Sequence, residues 1–136
     1  MSIDYTDERR FTVRQLERLF LSVNWESGKF PEKLKKALDN CETVFTAWDG
    51  KRLVGLANAV DDGALTAYVH YLLVDPEYQG NGIGTALLDM MREKYTGFHH
   101  FFLVAEHKDL VGYYEKLGFK EQPETTVMLY EVHNNE

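Results

Sequence analysis

Leu72-Leu73-Val74-Asp75-Pro76-Glu77-Tyr78-Gln79-Gly80-Asn81-Gly82-Ile83-Gly84-Thr85-Ala86-Leu87 is the stretch whose reading decides the fold. An apolar run halts at Asp75-Pro76, because proline lacks an N–H and fixes its own φ. Glycines at 80, 82 and 84 then permit backbone angles that other residues avoid, and remove the Cβ atoms that would block a ligand. A helical pattern begins directly afterwards. The unpaired N–H groups of a helix start, with the helix dipole behind them, attract an anion. The stretch reads as a strand-to-helix turn suited to a diphosphate.

Spacing separates three nucleotide-type loops. A P-loop requires Gly-Lys-Ser/Thr, and no lysine occurs between Lys51 and Lys94. A dinucleotide fingerprint requires G-x-G-x-x-G early in a βαβ unit, whereas this loop reads G-x-G-x-G and lies past the middle of the chain. The third pattern, Gln/Arg-x-x-Gly-x-Gly/Ala, is met by Gln79-Gly80-Asn81-Gly82-Ile83-Gly84, and it resembles the coenzyme A loop of the GCN5-related N-acetyltransferase (GNAT) superfamily. The preceding Val-Asp-Pro-Glu-Tyr strengthens the likeness. Taken alone, the motif also admits a purely structural glycine turn. A second segment, Gly112-Tyr113-Tyr114-Glu115-Lys116-Leu117-Gly118-Phe119, resembles the other superfamily signature, Phe-Tyr-Glu-Lys-x-Gly-Phe, with Tyr113 in place of phenylalanine. The order and separation of the two segments also match. Residues 72–87 and 110–119 carry the resemblance.

Composition agrees with one globular domain over residues 1–136. Hydrophobic content is 44% and charged content 27%, and no apolar run approaches the roughly 18 residues of a membrane span. Early acidic residues Asp4, Asp7 and Glu8 argue against a signal peptide. The one cysteine, Cys41, fits a small buried hydrophobe in a reducing compartment, so a cytoplasmic protein is expected. A net charge of −7 argues against nucleic acid and agrees with a cationic acceptor, although most of the acidic excess reads as solvated surface.

Along the chain, Thr12 and Gln15 form a capping box ahead of the helical stripe Val13, Leu16, Phe20 and Val23. Pro31 opens a second helix with Leu34 and Leu38 inward. Strands are expected over 43–48, 52–60 and 65–74, with turns at Asp49-Gly50 and Asp62-Gly63. A central helix follows over 82–95, then a strand over 98–105 buried on both faces, a helix over 109–117 ended by Gly118, and a last strand over 125–132. The expected fold is α/β: a single-domain, mixed, mostly antiparallel sheet with helices on both faces, as the resemblance also implies. The final four residues, 133–136, are expected to fray.

The resemblance implies an N-acetyltransferase that moves the acetyl group of acetyl-CoA to an amine by direct attack in a ternary complex. The cradle would be backbone N–H groups from Gly80 to Thr85, with Gln79, Asn81, Gly82, Ile83 and Gly84 in the same loop. The strand end Leu72-Leu73-Val74 would pair with the pantetheine amides, and the Val74 N–H would polarise the thioester carbonyl. One such donor is worth roughly 2.7–4 kcal/mol in favourable cases. Tyr114 matches the tyrosine that protonates the departing thiolate. A thiol near 8.5 and a phenol near 10 make full transfer uphill by roughly 2 kcal/mol, tolerable as a hydrogen bond to developing charge. A core tyrosine satisfies the same pattern, since Leu110, Val111, Tyr114 and Leu117 share a helical face; Tyr113 is the alternative donor.

His107 stands where many members carry an asparagine that bonds the pantetheine. Strict alternation puts Tyr68, His70, Leu72 and Val74 on one sheet face and Val69, Tyr71 and Leu73 on the other. His70 matches the base of an arylalkylamine-acetylating branch, and a sheet histidine without catalytic work is the other reading. Glutamates used elsewhere in the superfamily are not matched, because Phe102 stands at that position. Trp25 and Phe30 would wall the acceptor site; Glu121 and Glu124 read as an amine lure or as surface charge. The partners expected are a small-molecule or peptide amine and a second copy in a homodimer, with no metal, nucleic acid or membrane. An acyl-CoA-binding sensor without turnover, and an interaction protein without coenzyme binding, are the readings from other classes.

Overall fold

The computed structural model describes residues 2–105 and 107–132. They form two compact units, Met1–Leu103 and Val104–Glu136.

The first unit is built on a five-stranded sheet in sequential order. Strand β1 (Asp4–Thr6) pairs antiparallel with β2 (Thr43–Asp49), which pairs with β3 (Arg52–Asp61), which pairs with β4 (Thr66–Val74). Only β5 (His100–Leu103) runs parallel to its neighbour, β4. The β2–β3 turn is the two-residue loop after Asp49, with Gly50 at φ +59, a left-handed angle that suits glycine and the twist of a tight hairpin.

Helix α1 (Val13–Ser22) starts as expected. The Thr12 side chain accepts from the Gln15 N–H at 3.1 Å, and the Gln15 side chain accepts from the Thr12 N–H at 2.9 Å. Its buried face is Leu16, Leu19 and Phe20. Asn24 at φ +60 then redirects the chain into a 3-10 turn, Glu26–Lys29, and α2 (Pro31–Asn40) follows with Pro31 in its first turn. Leu34 and Leu38 join Phe11, Leu16, Leu19 and Phe20 against Val44, Trp48, Leu53, Leu56 and Leu73 of the sheet.

Helix α3 (Ile83–Lys94) covers the other face. Gly55 and Leu56 are adjacent on β3 and so point to opposite faces. Leu56 packs in the α1–α2 cluster, whereas a Cβ at Gly55 would stand 3.0 Å from Ile83 Cγ2 and 3.2 Å from Leu87 Cδ1. The glycine lets α3 lie close to the sheet.

In the second unit, α4 (Asp109–Lys116) ends at Gly118, whose φ of +102 and N–H bond to the Glu115 carbonyl close the helix.

Four expectations need correction. A strand exists at Asp4–Thr6 that hydrophobic pattern did not signal, because three half-polar residues on a sheet edge have no period to read. The strand expected over 98–105 is shorter, and it is not buried on both faces: His100 and Phe102, alternate residues on one face, are exposed. No strand follows β5 among the described residues. Residues 125–132 have strand-forming composition, yet Val127, Met128, Leu129, Tyr130 and Val132 are 70–90% exposed. High β-propensity makes a strand only where a neighbour takes its backbone groups. The fourth correction, to the alternation along β4, belongs to the site below. Residues 133–136, expected to fray, lie outside the described residues.

Candidate active site

The β4–α3 connection is held from below by one carboxylate. Asp75 is buried, and its side chain accepts from the Glu77 N–H, Arg18 Nη1 and Arg52 Nη2, each at 3.0 Å. Arg18 also donates to the Leu53 carbonyl at 2.6 Å, and Arg52 also pairs with Glu77. Burial alone would raise the Asp75 pKa; the Glu77 N–H and the two guanidiniums outweigh it and hold the carboxyl below its ordinary value of 3.8. Tyr78 lies under the Arg52 guanidinium at 5.1 Å and donates its hydroxyl to Asp49. Pro76–Tyr78 thus becomes a fixed 3-10 turn.

Beyond that turn the chain opens. Gly80 and Gly82 lie at φ +84 and +80, and a Cβ built on either meets nothing within 4 Å. Gly82 is the N-cap of α3 and supplies no side-chain cap. The first-turn N–H groups at Ile83, Gly84 and Thr85 therefore have no intrahelical acceptor. The Ile83 side chain itself is core, 2% exposed, so only its backbone is available to a ligand. Gln79 and Asn81 are exposed and bond back to the turn: Gln79 Nε2 donates to the Val74 carbonyl at 3.1 Å, and Asn81 Nδ2 to the Tyr78 carbonyl at 3.0 Å.

The strand end faces this loop. The Asp75 N–H donates to the Val54 carbonyl at 2.8 Å, in the same register that sets Val74 opposite Gly55 and Leu72 opposite Ala57. Hydrogen-bonding direction alternates along an antiparallel strand. Leu73 and Asp75 therefore point their backbone groups at β3, and Leu72 and Val74 point theirs away from it. On that outer side β5 accompanies β4 only as far as Val69, opposite Leu103. Past Val69, no strand among the described residues takes that edge.

Register also shifts in β4. It steps from Asn58 opposite Tyr71 to Ala59 opposite Val69, which makes His70 the extra residue of a β-bulge. Asn58 makes the bulge: its Oδ1 accepts from the Tyr71 N–H at 2.9 Å, while its Nδ2 donates to the buried Cys41 Sγ at 3.6 Å. Strict alternation fails here. His70 is exposed and stacks on Tyr71, with centroids 4.0 Å apart and planes 18° from parallel, and on Tyr68 at 5.7 Å. Trp25 reaches Tyr71 at 5.7 Å, Phe102 reaches Tyr68 at 5.1 Å, and Ser27 Oγ bonds the Tyr71 hydroxyl at 2.7 Å. One aromatic strip thus runs Trp25–Tyr71–His70–Tyr68–Phe102. It can hold the apolar body of a ligand and, over ring faces, a cation.

Phe30, the other expected wall residue, caps α2 and is 54% exposed. In the second unit, Tyr114 is 8% exposed on α4, with Tyr113 and Phe119 edge-on to it at 5.3 and 6.1 Å. His107 is exposed just before α4, and its carbonyl accepts from the Leu110 N–H at 2.9 Å. Glu121 and Glu124 are exposed in the coil after α4. Among the described residues no cluster of His, Cys, Asp or Glu could hold a metal, and no helix is long and apolar enough to cross a membrane.

Asn58, Asp75 with its two arginines, and Tyr71 were not singled out from sequence. A polar Asn58 inside the apolar run Leu56–Val60 was the available signal, since a buried amide must find partners.

Residues 10–119 match the model of the acetyltransferase (GNAT) family, and the chain belongs to that family. It is 38% identical over 125 residues to a histone acetyltransferase of Glycine max, a match covering 82% of this chain and 53% of that one. It is 32% identical over 118 residues to a chloroplastic serotonin N-acetyltransferase of Oryza sativa subsp. japonica, covering 82% and 58%. The chain spans little more than half the length of these two relatives. A GNAT-family acetyltransferase of Streptococcus pneumoniae superposes with a TM-score of 0.83 at 26% identity, covering 98% of this chain and all of that one.

Proposed function

We propose that the chain is a single N-acetyltransferase domain that moves the acetyl group of acetyl-CoA to a primary amine by direct attack in a ternary complex. The observation that carries this reading is the edge of β4 at Leu72 and Val74, turned away from β3 beside a loop whose helix starts without a side-chain cap. The residues fit the coenzyme. Two left-handed glycines leave open space where Cβ atoms would stand, and a run of N–H groups suits a diphosphate. When bound, acetyl-CoA supplies an acyl group activated as a thioester.

The chain's own residues do the rest. Gly80 to Thr85 hold the diphosphate through backbone N–H groups, the edge of Leu72 and Val74 pairs with the pantetheine amides, and His107 adds a donor. The Val74 N–H bonds the acyl oxygen and stabilises negative charge there as the amine adds. Tyr114 gives its proton to the departing sulfur. His70 takes the amine proton. The transfer is direct or passes through one water. Trp25 and Phe30 wall the acceptor, with Tyr71, Tyr68 and Phe102 continuing the apolar surface. A reducing compartment such as the cytoplasm suits the free Cys41.

Calorimetry with acetyl-CoA, followed by mass spectrometry of an amine library incubated with both, tests this. Saturable binding with a 42 Da gain on an amine is expected, about the mass of one acetyl group replacing a proton by the balance of acyl transfer. Tight binding with no acetylated amine would leave a coenzyme sensor, and no binding would leave an interaction protein.

A further inference from the structure

We infer that Cys41 is a positioning residue: its thiol holds the Asn58 amide, and through that amide it holds the bulge that sets His70 on the aromatic strip. Its part in catalysis rests on reading His70 as the base. Its part in ordering the strand does not.

An asparagine side chain has two ends of nearly equal size and opposite character, an oxygen that accepts and a nitrogen that donates. Asn58 is 3% exposed, so both ends need partners inside the protein. The oxygen accepts from the Tyr71 N–H at 2.9 Å, the bond that makes the bulge. The nitrogen points the other way, at Cys41 Sγ, 3.6 Å off.

A thiol is both a weak donor and a weak acceptor, so a sulfur in isolation would tolerate either end of the amide. Here its surroundings decide. Cys41 caps α2 and is buried, and its Sγ lies 3.5 Å from the Leu38 carbonyl and 3.6 Å from the Thr43 carbonyl. Both oxygens can only accept. The single S–H goes to one of them, and lone pairs are left facing Asn58, where the nitrogen end alone can use them. Polarity therefore runs one way, from thiol to amide to the Tyr71 N–H.

The two ends of the amide are not equally replaceable. In a ladder without a bulge, the Tyr71 N–H would pair with a backbone carbonyl of β3. The buried nitrogen has no such substitute if position 41 becomes apolar. An unpaired buried donor costs more than one hydrogen bond contributes in net terms. Loss of the sulfur thus favours an amide that turns to pair its nitrogen and gives up the bulge. His70, the extra residue of that bulge, would leave the face of Tyr71.

Two pairs of full-chain variants test this: Cys41→Thr with Cys41→Val, and Cys41→Ser with Cys41→Ala. Within the first pair the shape is shared and only the hydroxyl acceptor differs, so packing changes cancel. The second pair repeats the contrast with smaller side chains, should a branched one fail to fold. The first readout is the His70 imidazole resonances in isotope-labelled protein, assigned with His70→Gln. Stacking on the Tyr71 ring moves them upfield, a shift expected to persist in Cys41→Thr and Cys41→Ser and to vanish in Cys41→Val and Cys41→Ala. The second readout is turnover. In Cys41→Val kcat is expected to lie roughly 10- to 100-fold below that of Cys41→Thr, with acetyl-CoA affinity unchanged in calorimetry. His70 resonances that coincide within each pair overturn the inference, whether or not any amine is acetylated. Resonances that separate while kcat does not overturn the part of Cys41 in catalysis, and the reading of His70 as base with it.

Discussion

His70 stacks face to face on Tyr71, its neighbour in sequence, with ring centroids 4.0 Å apart. Consecutive residues of a regular strand point to opposite faces, so the contact exists only because the bulge at Asn58 inserts His70 into β4 as an extra residue. The bulge hands the imidazole to the aromatic strip and to solvent. If His70 is the base, kcat/KM rises with pH through an apparent pKa in the imidazole range. His70→Gln flattens that limb and slows transfer, and raising the pH restores part of the rate. A wild-type pH–rate profile in the variant would return the role of base to solvent.

The bulge itself is testable through Asn58. Asn58→Leu leaves the Tyr71 N–H without its acceptor inside the sheet, and is expected to cost about 1–3 kcal/mol in urea unfolding. It should also lower turnover more than it lowers coenzyme affinity, because His70 moves while the loop does not.

Gly82→Val places a β-branched residue at φ +80, where the strain is on the order of 1–3 kcal/mol, and fills the open space above the helix start. Loss of acetyl-CoA binding by at least tenfold in calorimetry is expected, with the circular dichroism of a folded chain. Unchanged affinity would remove the loop from the coenzyme site.

Asp75→Asn keeps the shape of the carboxylate and removes its charge from Arg18 and Arg52. A cost of about 1.5–3 kcal/mol is expected, moderated because both guanidiniums remain about 40% exposed. Asp75 titrates lower in the folded chain than in the unfolded one. Its contribution to stability is therefore complete above the ordinary carboxylate value and is lost as pH falls through the folded pKa. Wild-type urea midpoints should drop as pH falls below about 4, and the drop should be smaller in Asp75→Asn.

Tyr114→Phe is expected to keep coenzyme affinity within a few-fold while kcat falls by about 10- to 10⁴-fold. Lost stability with unchanged turnover would make Tyr114 a core residue of α4 and nothing more.

Local chemistry made much of this structure legible in advance. The Thr12–Gln15 capping box, the Pro31 helix start, the Asp75-Pro76 strand stop and the left-handed Gly80 and Gly82 are each decided by one or two residues and their neighbours. What escaped the sequence depends on distant partners. The facing of His70 is set by an amide twelve residues away, and the anchoring of Asp75 by arginines 57 and 23 residues away. Residues 125–132 show the converse: every local preference favours a strand, yet a strand is defined by what lies beside it.

Gly55 stands opposite Val74 in the β3–β4 ladder and directly beneath Ile83, the first residue of α3. The strand end and the helix start are thus referred to a single atom-sized gap. Any side chain there would meet Ile83 at 3.0 Å and Ala47 at 3.3 Å and lift the helix by tenths of an ångström, while Val74 stayed in the ladder. If the loop holds the coenzyme, that grip is tunable, by selection or by engineering, from a glycine packed under the helix.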